Sequence, residues 1–476
     1  MTGRPALVAI DLGAESCRVS LLQWHAHEPQ IRMVHRFPNG PVVTHAGICW
    51  DLDGICRELV AGLRRSAEIA AEGIAGIGVA GWAVDYVRID PSGRPIAPPF
   101  CYRDPRNQAA MERVHAIIPA AELYARTGVQ IQPLNTIYQL YADKLTGIPD
   151  KTSWINLPEY ILHWLGAPRI AEHTNATHTS LVDPATRQWL PELFRALGLD
   201  EAAAPPLVSP GTRLGAMRGE LADLPAFAKT KLIAPACHDT ASAVAGISGS
   251  SGAWAYISSG TWSLIGAPLP SPVRTPEAFE QGFTNLGAAD GSILFHRGLT
   301  GMWLLRQCMN TWDYTQGWTL EALIAEAAQL PEPDELLDLD DPALVMPGDM
   351  PARINDQRQR RGLPPLPNSC ADAPAYTNLI FHSLGHRYGA ILRALDRLTG
   401  RATEQICVVG GGSRNGYLNA LTERATGLPV KACAVESSTL GNFAVQCAAL
   451  ESDGSGVKPN QLREAARELA AAQMVG

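Results

Sequence analysis

The stretch LVAIDLGAESCRVSLLQW, residues 7–24, decides the reading of the fold. An apolar run over 7–11 ends in Asp11; after a turn over 13–18, residues 19–24 are apolar again. Two such runs about a glycine-containing turn predict a β-hairpin. Working outward, helical spacing over 51–71 precedes a second buried run over 74–79, an extended segment over 82–89 and a Pro-Ser-Gly turn at 91–93. Strands alternating with helices predict α/β architecture. Residues 116–199 read as largely helical with loops, including an amphipathic piece over 158–165, and the Pro-rich 205–210 reads as a surface loop. Strand-turn-strand patterning returns over 232–236, 254–257 and 261–265, so a domain boundary is expected close to Ala245, giving domains 1–245 and 246–476. Helical spacing over 300–330 is followed by an acidic, Pro-rich loop over 331–349 and a long helix over 379–398. A short strand over 406–409 then runs into Gly410, Gly411 and Gly412 and a helix to Thr426. The small-residue helix over 436–450 can pack closely on neighbouring backbone. No repeat of roughly 20–50 residues is visible, which excludes solenoids and propellers.

A chain of 476 residues suits two large domains. With 46% hydrophobic and 18% charged residues, global disorder is excluded. The net charge is -8, from 39 basic and 47 acidic residues without a dense Lys/Arg block, which argues against nucleic-acid binding through a basic face. Any anionic ligand must be held by local dipoles, a few arginines or a metal. The opening residues 1–13 lack the apolar core of a signal peptide. The uncharged stretch 240–273 is broken by Gly, Ser and Pro, and so predicts buried strands and turns rather than a membrane span. Ten cysteines, with no C-x-x-C pair or zinc-like cluster, fit reduced thiols of a cytoplasmic protein.

Three turns rich in Gly, Ser and Thr each follow a strand. The first, DLGAESCR over 11–18, offers backbone N–H groups and hydroxyls to an anion; Arg18 adds a forked donor, and Asp11 can hold Mg²⁺ through water. On this motif alone an ordinary hairpin with a surface ion pair is the stronger reading. The second, SSGTWS over 258–263, repeats that chemistry at the start of the second half, which together suggests a clamped nucleotide phosphate chain. The third, GGGSRN over 410–415, is neither G-x-G-x-x-G nor a P-loop, but lets backbone approach a nucleotide closely. A fourth feature, His238-Asp239-Thr240, follows the run 232–236. Asp239 there is either a general base for an attacking hydroxyl or a helix N-cap, and the residues alone do not choose.

Read together and in order, AIDLGAESCRVSLL, GWAVDYVRID with YRDPR, EHTNATHTSLVDPATRQW, CHDTASAV, YISSGTWSLIG, GMWLL, DDPALVMPGDMPARI, VVGGGSRN and VESSTLGN resemble the FGGY family of carbohydrate kinases over nearly the whole chain. The resemblance implies two actin-like (ribonuclease H-like) α/β domains with an interdomain cleft, the first mainly sugar-binding and the second mainly ATP-binding. It implies transfer of the γ-phosphoryl group of ATP, with Mg²⁺, to the 1-hydroxyl of a ketose, L-rhamnulose foremost. L-fuculose or another ketose, or a catalytically silent sugar-binding relative, are the alternatives. Carried over by residue, Asp239 is the base and His238, Thr240, Ala83, Trp82 and Asp85 line the sugar. Ala14, Glu15, Ser16, Cys17, Arg18 and Thr261 lie on the ATP phosphates, Arg306 and Gly411 on the nucleotide, and Asp11 serves the metal. The expected partners are sugar and ATP, without nucleic acid or membrane, in a monomer or homodimer. The chain departs from the family at Glu15 and Cys17 in the first loop, at Ala83 for Gly, at Gly298 for Asn and at Arg306 for Gln. The bland readings are a core position for Trp82, loop positions for His173 and His178, a loop-fixing part for Glu172 and Asn175, and a solvated face for 358–361.

Overall fold

The computed structural model describes residues 4–26, 28–148, 152–248, 252–312, 317–346, 348–452 and 457–475. The hairpin forms where the sequence places it. Strands β1 (Ala6–Leu12) and β2 (Ser16–His25) pair antiparallel with Asp11 opposite Arg18. Strand β3 (Glu28–Pro38) extends the meander, and helix α1 (Leu52–Ile69) leads to β4 (Ile74–Gly81), parallel to β1 with Val79 beside Ile10. With β5 (Arg213–Ala216) and β6 (Lys231–Ile233), the sheet runs β5-β6-β4-β1-β2-β3 and ends on the strand Gln473–Val475.

Strand β1 is apolar almost throughout because both faces of the sheet are covered. On one face Val8, Ile10, Val19, Leu21, Ile77 and Val79 form a core with Leu59 and Leu63 of α1. Each fully buried aliphatic side chain of this kind contributes about 1.5–3 kcal/mol. Asp51 caps α1, its carboxylate accepting from the Gly54 amide at 2.9 Å. On the other face lies the small-residue helix α3 (Ser437–Glu451), in contact with β1, β4 and helix α2 (Asp239–Ala245). Close approach needs the glycines of β4. A Cβ at Gly78 would sit 2.4 Å from Asn442 Oδ1, and one at Gly76 2.8 Å from Gln446 Oε1. Through those gaps Gln446 donates to the Val8 carbonyl at 2.9 Å and Asn442 to that of Gly78 at 3.2 Å.

The chain forms two compact units that are not unbroken halves. Unit 1 comprises Met1–Gly249, Pro268–Phe295 and Ser437–Gly476; unit 2 comprises Ser250–Ala267 and His296–Glu436. A single division at Ala245 misses the return of α3, which the apolar and glycine-lined face of β1 and β4 captures for unit 1.

In unit 2, β7 (Trp254–Ser259) pairs antiparallel with β8 (Trp262–Leu269) and parallel with β10 (Gln405–Val409). With β9 (Ile293–Thr300) and β11 (Val430–Ala432), the order is β9-β8-β7-β10-β11. This repeats the β3-β2-β1-β4-β6 order of unit 1, so the hairpin turns of β1–β2 and β7–β8 are topological equivalents. The long helix Ala373–Thr399 packs on the helix Gly416–Thr426, where a Cβ at Gly385 would lie 3.1 Å from that of Leu421.

Two expectations change. Residues 116–199 are less helical than their pattern suggests: short helices alternate with the strand Ser153–Asn156, which pairs with Tyr86–Ile89. After Gly410, at φ +82°, the chain makes a 3-10 turn over Gly411–Arg414, and the helix starts only at Gly416. Asn415 delays it by capping, its side chain accepting from the Leu418 amide at 3.0 Å. Among the described residues no helix is long and apolar enough to cross a membrane.

Candidate active site

In unit 1 the carboxyl ends of β1 and β4 and the segment after β6 converge. The Trp82 amide donates to Leu12 O at 3.2 Å and the Gly81 amide to Cys237 O at 2.9 Å. Ligands of open α/β sheets bind at this edge. Asp11, at the end of β1, is buried; Ser438 Oγ of α3 donates to its Oδ2 at 2.6 Å, and Arg18 Nε lies 3.5 Å from the same oxygen.

Asp239 is the first residue of α2, and His238, not Asp239, is the N-cap. Its carboxyl is therefore not spent on the helix end. Oδ1 accepts from Thr240 Oγ1 at 3.1 Å and lies 3.3 Å from His238 Nε2, while the side chain stays 37% exposed. Burial first, then the Asp11 charge, pushes the Asp239 carboxyl up to about 7, against the bonds from Thr240 and the Arg18 charge. A carboxylate poised there suits proton abstraction near neutral pH. Behind it, His238 Nδ1 and His178 Nε2 are 3.1 Å apart. The loop reading of His178 is thus corrected: it sits in the 3-10 turn Thr177–Thr179, with its ring against that of His238 at 4.0 Å.

Trp82, Ala83 and Asp85 are buried beside this edge. Asp85 Oδ2 accepts from Trp50 Nε1 at 2.6 Å and Trp82 Nε1 at 3.0 Å, and Oδ1 accepts from Gln139 Nε2 at 3.0 Å. Burial still pushes this carboxyl up to about 6, against those donors. Asp85 thereby fixes the two indoles, whose rings lie 4.4 Å apart. Between Ala83 and Asp85 in the chain, Val84 holds φ +73°, costly for a β-branched residue. Its carbonyl is tied down by Thr136 Oγ1 at 2.7 Å and Gln139 at 3.3 Å. Positive φ falls on Val84 and not on Ala83, so alanine for glycine at 83 carries no backbone strain.

The first turn is narrower than the 11–18 motif. Ser16, Cys17 and Arg18 already belong to β2, and Cys17 points into the core, its thiol 3.6 Å from Gly13 O. Any part Cys17 plays toward phosphate runs through its backbone. Ala14 is half-buried and Glu15 exposed. Asn39 pins the turn, its amide donating to Glu15 O and its side chain to Gly13 O, both at 2.9 Å.

In unit 2 the second and third turns meet. A Cβ at Gly410 would lie 2.9 Å from Ser259 O, and one at Gly412 2.0 Å from Ser259 Oγ. Gly411 opens away from this contact, with nothing within 4 Å of a Cβ. The Thr261 carbonyl accepts from Gly301 at 3.0 Å and Trp303 at 3.3 Å. Arg306 is exposed on the helix Trp303–Thr311, and Gly298 is half-buried in β9 beside Leu264.

The family profiles match this arrangement over most of the chain: the N-terminal domain of the FGGY family of carbohydrate kinases over residues 6–246 and its C-terminal domain over 255–450. The chain belongs to the FGGY family of carbohydrate kinases, which are sugar phosphotransferases. Among similar proteins, rhamnulokinase of Enterococcus faecalis is 34% identical over 447 residues, covering 92% of this chain and 88% of the relative. Rhamnulokinase of Bacteroides thetaiotaomicron is 34% identical over 443 residues, covering 92% and 89%. The crystal structure of xylulose kinase from Rhodospirillum rubrum shares the fold at a TM-score of 0.73, with 15% identity and 98% of each chain covered.

Proposed function

We propose that this chain is a cytoplasmic ketose kinase that transfers the γ-phosphoryl group of ATP to the 1-hydroxyl of L-rhamnulose, with Asp239 as general base. The observation that carries the substrate is the 34% identity to rhamnulokinases over 92% of the chain. The half-open, upshifted carboxyl of Asp239 at the sheet edge supports the base. Asp239 accepts the 1-hydroxyl proton as that oxygen attacks the γ-phosphorus, and ADP leaves from the opposite side of the phosphorus. His238 and Thr240 hold the Asp239 carboxyl and flank the sugar. Trp82 and Ala83 line the sugar, while Asp85 acts through the indoles of Trp50 and Trp82. Ala14 to Arg18 and Thr261 serve the phosphates; Gly411 and Arg306 serve the nucleoside.

Asp11 is the side chain that would hold Mg²⁺. Its carboxylate lies near enough to Asp239 to raise the latter's pKa, a repulsion that a divalent cation would relieve. A single carboxylate suffices for a Mg²⁺ that keeps waters and phosphate oxygens as its other ligands. Bound there, the ion would neutralise charge on the phosphate oxygens. The chain works as a monomer or homodimer, with sugar and ATP as its partners.

The test is coupled ADP release with Mg²⁺-ATP against L-rhamnulose, L-fuculose, L-ribulose and D-xylulose. The expected result is preferred turnover of L-rhamnulose. Preference for another ketose would reassign the substrate to a pocket altered by Ala83 and Gly298, and silence with retained sugar binding would indicate a non-catalytic relative. Asp239→Asn should lower turnover by about 10²–10⁴-fold while both ligands still bind.

A further inference from the structure

Beneath the head of α2 lie two carboxyl groups that phosphoryl transfer does not use. Glu159, in the helix Leu157–Trp164, and Glu172, the N-cap of the short helix His173–Ala176, are both completely buried. The sequence explains why one is needed there. Strand β6 stops at Ile233, so the amides that follow have left the sheet and require other partners. Glu172 Oε2 accepts from the Cys237 amide at 2.8 Å and from Thr174 Oγ1, and Oε1 accepts from the Thr174 amide at 2.9 Å. Thr174 Oγ1 in turn accepts from the His238 amide at 3.3 Å. Both amides preceding Asp239 therefore end on one carboxylate-hydroxyl pair.

Glu159 receives less: its Oε1 accepts from the Glu172 amide at 3.1 Å and its Oε2 from Asn175 Nδ2 at 2.7 Å. Burial pushes the Glu172 carboxyl up to about 7 even against its donors, which still leaves it the first of the two to give up its proton. Burial and the Glu172 charge push Glu159 up to about 8, keeping it neutral beside its partner. A buried carboxyl retained with three donors, where apolar side chains would serve stability as well, marks a demand for geometry.

We propose that Glu172, working through Thr174, is a positioning residue for Asp239: the pair anchors the Cys237 and His238 amides and so sets where the carboxyl at the head of α2 stands. This rests on the reading of Asp239 as the base. The small angular errors such an anchor prevents are costly in catalysis, because a misplacement of about 1 Å can lower a rate by ~10²-fold.

The experiment compares Glu172→Gln, Thr174→Val, Thr174→Ser and Asp239→Asn with the wild type. Turnover is followed by ADP release with L-rhamnulose and Mg²⁺-ATP, and amide hydrogen exchange is measured over Cys237 and His238. Glu172→Gln and Thr174→Val should each lower kcat by roughly ten- to a hundredfold, with both KM values within about twofold, and should speed exchange at the two amides. Thr174→Ser, which loses a methyl but keeps the hydroxyl, should restore most of what Thr174→Val loses; a packing role predicts the reverse order. Wild-type kcat in Glu172→Gln and Thr174→Val, with Asp239→Asn silent, would overturn the positioning role alone. Full turnover in Asp239→Asn would overturn the base and the positioning role with it. If Glu172→Gln does not fold, the two Thr174 variants decide. Unchanged exchange at both amides in Thr174→Val overturns the anchor whatever the turnover.

Discussion

Gly441→Ala tests the contact that brings the far end of the chain onto the candidate site. A Cβ at Gly441 would lie 1.7 Å from the carbonyl oxygen of Ser242, 2.7 Å from its carbon and 2.9 Å from the Gly246 nitrogen. These are backbone atoms of α2 and its C-cap, so no side chain can swing aside, and α2 and α3 must part. Overpacking of this kind costs about 1–3 kcal/mol. Parting also strains two bonds: Ser242 Oγ to Ser438 O at 2.8 Å, and Ser438 Oγ to Asp11 at 2.6 Å. The second, to a charged acceptor, is worth about 1.5–3 kcal/mol. Alanine returns about 1 kcal/mol of helix propensity. The net loss is roughly 2–5 kcal/mol, a fall in Tm of roughly 3–8 °C for a unit of this size. Because α2 carries Asp239, turnover measured well below Tm should fall as well. Gly416→Ala, where a Cβ meets nothing within 4 Å, is the control and should leave Tm unchanged or slightly raised. Calorimetry with parallel ADP-release assays reads both effects. A Tm for Gly441→Ala within the scatter of the control would refute the reasoning.

The remaining predictions concern protons. With Asp239 pushed up to about 7 and required ionised, kcat/KM should fall tenfold per pH unit on the acid side of that value. Asp11→Asn removes one cause of the upward shift, so the acid limb of a pH–rate profile should move to lower pH even as the rate drops. Glu159, raised from 4.5 to about 8, binds its proton more tightly folded than unfolded. Its contribution to stability is thus full below pH 4.5 and lost as pH rises toward 8. Glu159→Gln should therefore melt near the wild type at acid pH and gain on it progressively in Tm up to pH 8. The buried Asn175 Oδ1, which lacks a partner, can accept from the new amide after a flip of the Asn175 side chain. A Tm difference independent of pH would count against a buried proton on Glu159.

Much of this was legible in the residues because it is local. The hairpin around Asp11 and the strand before His238 follow from apolar runs and turn chemistry, and α1 from its helical spacing. The alternation in β2 also carried more than the motif revealed: Ser16 and Arg18 share one face, while Cys17 and Val19 share the core face. What stayed hidden depends on distant partners. His178 has no telling spacing, and only the fold brings it to His238. Val84 gives no sign of positive φ, since valine is among the last residues expected there; its strain is supported by Thr136 and Gln139 from the helix Thr136–Leu145. The small residues of α3 announced close packing, but which half of the chain receives it is a tertiary matter.

The capture of α3 by unit 1 also imposes an order of events during synthesis. The sheet of β1, β4 and β6 is complete in sequence by Ile233, yet the helix that seals its glycine-lined face is made roughly 190 residues after Gly249. At about 5–20 residues per second, that face waits some ten to forty seconds for its cover. The intervening 296–436 stretch, which lies wholly within unit 2, can begin to fold in that interval. A nascent chain of this protein therefore carries an open apolar sheet through much of its translation. Its first-made half is the last to close.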